Sequence, residues 1–113
     1  MDHRHIQDDL REPFDELRRA LPEVMTAHAQ LSRAAMAEGS LDQKTKELIA
    51  LAISITRECD GCIAAHAKGA ARRGASRTEV VEMIGVAISM NGGPGTVWGP
   101  RALEAYDQFS ASS

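Results

Sequence analysis

Apolar positions along this chain recur at intervals of three and four residues, the period of helices rather than the alternation of strands. The series Leu21, Val24, Met25, His28, Leu31, Ala34 and Ala35 forms one apolar stripe on a helix opened by Pro22. His28 on that stripe reads as a packed or interface histidine. A shorter helix is expected to start near Pro13, a residue suited to the first helical position, carrying Phe14, Leu17 and Arg18. Residues 1–8, with His3 and His5, read as a flexible polar tail. Gly39 is the expected stop of the second helix and Asp42 the N-cap of the third.

The third helix, Gln43 to Arg57, has charged first turns and then Leu48 to Ile55, apolar on nearly every side. A fourth, Cys59 to Arg73, is kept slim by alanines and stopped by Gly74. Ser76 and Glu79 have the spacing of a capping box, opening a fifth helix to about Met90 that is again apolar over most of its surface. Asn91 to Gly95 breaks the chain. A last helix, its start limited by Pro100, carries Trp98, Leu103, Tyr106 and Phe109 before a frayed end at 110–113. The expectation is an all-α bundle, one domain over residues 1–113 without repeat or linker. Two helices apolar all round need burial all round. A chain of 113 residues offers little room for that, so association into a homo-oligomer is expected.

Composition supports this and removes some functions. Only 4% of residues are aromatic, so the core is aliphatic and suits closely packed helices. The net charge of -3 and a pI near 5.8 give no basic face for nucleic acid. Arg72, Arg73 and Arg77 read as a helix C-terminus offsetting its dipole. No secretory signal is visible, and the longest apolar run, Leu48 to Ile53, is too short to span a bilayer. A soluble cytoplasmic protein without a membrane partner is expected. In that compartment a Cys-x-x-Cys pair points to catalysis or metal binding.

The chemistry concentrates in Glu58-Cys59-Asp60-Gly61-Cys62-Ile63-Ala64-Ala65-His66, which holds both cysteines of the chain. On a helix Cys59, Cys62 and His66 share one face. A first-turn cysteine has a lowered pKa because unpaired N–H groups stabilise the thiolate. A thiolate that attacks a peroxide becomes a sulfenic acid, and a second cysteine three positions away can condense with it. Cys59, Cys62 and His66 are also three zinc-type ligands, although zinc would want a fourth. A redox sensor or assembly module that keeps the cysteine pair without turnover is a third reading.

The run from Leu41-Asp-Gln-Lys-Thr-Lys-Glu47-Leu through Cys59-Asp-Gly-Cys62-Ile-Ala-Ala-His66 resembles the alkylhydroperoxidase D / carboxymuconolactone decarboxylase-like family. Gly74-Ala, Thr78-Glu79 and Met90-Asn-Gly-Gly-Pro94-Gly are similar to its small single-domain members, so the resemblance spans about Pro22 to Tyr106. It implies an all-helical fold assembling as a trimer or as a hexamer of three dimers. It also implies a thiol peroxidase site, with Glu47, Cys59, Cys62 and His66 at catalytic positions. Cys62 would be the peroxidatic thiol, Cys59 its resolving partner, and Glu47 with His66 a proton relay. The substrate would be an organic hydroperoxide and the electron donor a partner dithiol. No cofactor or metal is expected. Peroxidase members carry a second histidine between the cysteines, where this chain has Gly61, so slow turnover or a different substrate is expected. Decarboxylase members lack the cysteine pair, which disfavours lactone decarboxylation.

Overall fold

Each stretch of helical spacing is a helix in the computed structural model, which describes residues 1–111. Among the described residues the elements are α1 (His3–Ala20), α2 (Pro22–Met36), α3 (Gln43–Thr56), α4 (Asp60–Arg72), α5 (Arg77–Asn91) and α6 (Gly93–Ala111), with no strand. They form a single all-helical domain. α4 lies at its centre, packed against α1, α3 and α6, while α5 packs on α3 and α6. Leu51 and Ile55 of α3, Ile63, Ala64, Ala67 and Ala70 of α4, Val80 of α5, and Ala102 and Ala105 of α6 are fully buried. The alanines on the inner face of α4 let its neighbours come close, as the slim pattern foretold.

The caps follow the sequence. Asp42 accepts from the Thr45 N–H at 2.7 Å and opens α3. The Ser76–Glu79 capping box is complete, with the Ser76 hydroxyl accepting from the Glu79 N–H and the Glu79 carboxylate accepting from the Ser76 N–H. α4 ends in a Schellman motif: Ala75 N–H donates to Ala70 O and Gly74 N–H to Ala71 O, with Gly74 at φ +86. The end of α3 repeats the motif, Cys59 N–H donating to Ser54 O and Glu58 N–H to Ile55 O. There a glutamate, Glu58, takes the left-handed position at φ +54.

Four sequence expectations need correction. The stretch read as a flexible tail is helical from His3, whose side chain is fully buried. Its backbone N–H donates to Gln108 Oε1 at 2.8 Å, and its Nε2 lies 3.0 Å from Glu104 Oε1. These partners lie about a hundred residues away, so no local pattern announces them. Pro13 lies inside α1 rather than at its start, and the helix runs through it. Pro100 likewise lies inside α6, which begins at Gly93 and continues to Ala111. Gly95 and Gly99 make that early turn possible, since a Cβ would stand 3.0 Å from Ile88 Cα at the first and 2.8 Å from Ile84 Cγ2 at the second. α2 stops at Met36, short of Gly39. Residues 112–113 of the expected frayed end lie outside the described residues.

The two over-apolar helices are only half covered by their own chain. Ile49 and Ile53 of α3 and Val81, Val86 and Met90 of α5 are exposed, as are Leu10, Phe14, Leu17, Val24 and Leu31 on α1 and α2. His28, on the α2 stripe, is exposed with them. No helix among the described residues is long and apolar enough to cross a membrane.

Candidate functional site

α3 and α4 form an antiparallel-type pair joined by the tight turn at Arg57–Cys59, and that turn places the cysteines. The Schellman bonds carry the chain sharply from one helix into the next, so Cys59 becomes the N-cap of α4. Its sulfur accepts from the Cys62 N–H at 3.2 Å. Cys59 and Cys62 are joined in a disulfide, their Cα atoms 5.2 Å apart. Cys62 is exposed and Cys59 half-buried, so the two sulfurs differ in access as well as in electrostatics. The one at the N-cap position faces the unpaired N–H groups of the first turn. The other is open to solvent.

One turn beyond Cys62, His66 meets Glu47 from α3, with Nδ1 2.8 Å from Glu47 Oε2. The carboxylate side chain is only 16% exposed and the imidazole 32%, so water screens this contact less than a surface pair. A carboxylate only accepts, so Nδ1 carries the hydrogen and Nε2 is the ring atom left for proton exchange. Both partners belong to one chain. The Glu47–His66 contact is thus made without a second subunit. Ala50, Ile53, Ser54, Arg57, Cys59, Cys62 and His66 line one open cleft of about 480 Å³. α3 contributes Ala50 and Ile53 to that lining beside Ser54 and Arg57. Asp60, in the first turn of α4, faces Arg101 at 3.8 Å, and that cation offsets its charge near the sulfurs.

All four residues singled out by sequence come together here: both cysteines and His66 in the cleft, Glu47 behind the imidazole. Ala50, Ile53, Ser54 and Arg57 escaped sequence reasoning, because the helix face that borders a neighbour's first turn is set by packing. Gly61 lies beneath α1: a Cβ there would stand 3.1 Å from Leu10 Cδ1. Gly61 is thus covered by an apolar side chain. Among the described residues, no group of three or more His, Cys, Asp and Glu side chains is arranged to hold a metal ion. The three residues of the zinc reading include two sulfurs bonded to each other.

Known proteins agree with this architecture. The model of the carboxymuconolactone decarboxylase family matches residues 22–105. An uncharacterised protein of Cupriavidus necator is 35% identical over 103 residues, which cover 91% of each chain. A Haemophilus influenzae protein, also uncharacterised, is 40% identical over 97 residues, 86% of each. The crystal structure of the apo form of a carboxymuconolactone decarboxylase family protein from Legionella pneumophila superposes with a TM-score of 0.92 at 40% identity, covering 96% of both chains.

Proposed function

The chain belongs to the carboxymuconolactone decarboxylase family, and from that premise we propose that it is a thiol-dependent oxidoreductase that reduces organic hydroperoxides. The observation that carries this is the Cys59–Cys62 disulfide at a helix N-terminus, sharing one cleft with a His66 that Glu47 orients. A disulfide at that place is the oxidised half of a two-electron cycle, and the imidazole supplies the protons the cycle needs.

In the reduced enzyme the Cys62 thiolate attacks the outer oxygen of the hydroperoxide. The O–O bond breaks, Cys62 becomes a sulfenic acid, and the alkoxide leaves as alcohol with a proton from His66. His66 then takes the Cys59 thiol proton, the resulting thiolate, favoured by the Cys62 N–H, attacks the Cys62 sulfur, and the hydroxide it displaces leaves as water with that proton, closing the disulfide. A donor dithiol returns two electrons and two protons and leaves as its own disulfide. Its thiolate meets Cys62 first, because that sulfur is the exposed one, and Cys59 is the stabilised leaving group. Glu47 holds His66 in the tautomer that keeps Nε2 free and steadies the charged imidazole between the two half-reactions. A reducing cytoplasm with a dithiol carrier fits such a cycle.

Trapping tests the order of the thiols. Peroxide-treated Cys59→Ser is expected to hold a sulfenic acid on Cys62 that a carbon nucleophile captures, and Cys62→Ser to hold none. Neither variant being captured would sink the scheme. The exposed apolar faces of α3 and α5 support assembly as a trimer or a hexamer of three dimers. Sedimentation at micromolar concentration checks it, a monomer being the contrary result.

A second reading is a redox sensor or assembly module with the same disulfide and little turnover. Gly61 under Leu10 favours it, since the space of a further relay histidine is filled. It is separated by rate: disulfide formation with peroxide persists, but steady-state reduction fails.

A further inference from the structure

α4 is rich in alanine, yet it carries glycine at position 69, three residues past His66, inside a helix where glycine is the costlier choice. The backbone there is ordinary helix, so no turn or left-handed φ requires it. What sits over it is the Glu47 carboxylate. A Cβ at position 69 would strike all three carboxylate atoms, standing 2.6 Å from Oε1 and closer still to Cδ and to Oε2. Oε2 is the oxygen that His66 Nδ1 contacts. Glu47 therefore reaches His66 by crossing the bare α-carbon of Gly69.

We infer that Gly69 is a positioning residue of this site: its missing side chain is the channel through which the α3 carboxylate engages the α4 imidazole. The inference rests on the proposed proton relay for its functional meaning, but its geometric content stands apart from any activity. The atoms a new methyl would meet are the far end of a flexible side chain, not backbone. Alanine at 69 is thus accommodated by turning the carboxylate away, while the helix itself gains from the exchange. Stability and site geometry should move in opposite directions, which a merely structural glycine would not produce. Gly85, within α5, supplies the control, because a Cβ there meets nothing within 4 Å.

The experiment follows the tautomer of His66 by nitrogen-15 NMR in the intact, oxidised protein, with the resonance assigned through His66→Gln. Wild type and Gly85→Ala are expected to show His66 with hydrogen on Nδ1. In Gly69→Ala the ratio of Nδ1–H to Nε2–H forms is expected to fall roughly tenfold, the weight of one charge-assisted hydrogen bond. Its melting temperature should stay level or rise. Gly69→Ser serves as the second variant and is expected to give the same shift. Hydroperoxide reduction should fall with the tautomer ratio in both Gly69 variants and not in Gly85→Ala. Retention of the Nδ1–H form in Gly69→Ala and Gly69→Ser would overturn the inference. A lost tautomer in a protein whose wild type reduces no hydroperoxide would leave it standing and count against the peroxidase reading alone.

Discussion

At the scale of the residue, the proposed cycle divides its labour among four side chains. Cys59 has the helix N-terminus and Cys62 has access, while in the proposed cycle His66 carries the proton and Glu47, 2.8 Å from Nδ1, sets which ring nitrogen holds it. Glu47→Gln keeps the shape of the carboxylate but removes its charge and adds donors. It is expected to lower the hydroperoxide kcat/KM by a factor on the order of 10² with little loss of stability, read from turnover beside a denaturation curve. Wild-type rates in that variant would remove Glu47 from the relay. The Cys-x-x-Cys-x-x-x-His spacing was legible because Cys62 and His66 sit on one helix and Cys59 caps it, so that spacing fixes their relative places. Glu47 became legible only through resemblance, since it reaches the site from another helix. Gly69 was not legible: what a glycine admits depends on the side chain crossing it, and Glu47 crosses from α3.

At the scale of the element, the C-terminal ends of α3 and α4 are built alike and stabilised unequally. Both α3 and α4 end in Schellman motifs, but Gly74 fills the left-handed position in one and Glu58 in the other. A side chain in that region costs about 1 kcal/mol relative to glycine. Glu58→Gly is therefore expected to stabilise the protein by about 1 kcal/mol in chemical denaturation; a destabilised variant would mean that the glutamate makes a compensating contact. The start of α5 carries a pH signature. The Ser76 N–H, and then Lys44 at 2.9 Å, hold the Glu79 carboxyl below its usual range. A depressed carboxyl contributes stability above its unfolded pKa and loses it as pH falls through the folded one. Glu79→Ala should melt below wild type at neutral pH, and the gap should close under acid conditions, below about pH 4.5. A gap independent of pH would deny the ionic contribution. Both caps follow from local sequence, Asp42 and Ser76 most plainly, and that is why the boundaries of α3 and α5 could be read. Pro13 and Pro100 misled because a proline near a helix start and one inside a helix held by its neighbours look the same in sequence.

At the scale of the whole molecule, the bundle closes by tying its first helix to its last. His3 is fully buried against Glu104 and Gln108, and the Gln108 side-chain amide donates to the Met1 carbonyl at 2.7 Å. His3→Ala removes a buried hydrogen-bonded side chain and should cost about 1–3 kcal/mol in urea unfolding. An unchanged midpoint would show that α1 adheres by its apolar contacts alone. Since Leu10 of α1 covers Gly61, that tie also bears on the disulfide turn. The all-helical class, the order of α2 to α6 and the apolar excess were open to pattern reading, because each is a property of a segment. The closure through His3 was not, being a property of two segments that only the fold brings together. What the assembled chain presents is a disulfide in a cleft with a paired imidazole, on which the proposed two-electron cycle would run. The most direct test mixes fully reduced protein with an organic hydroperoxide in stopped flow and counts thiols beside alcohol formed. One hydroperoxide is expected to be consumed for each Cys59–Cys62 pair oxidised, with two thiols lost together. Hydroperoxide left intact, or consumed while both thiols remain free, would contradict it.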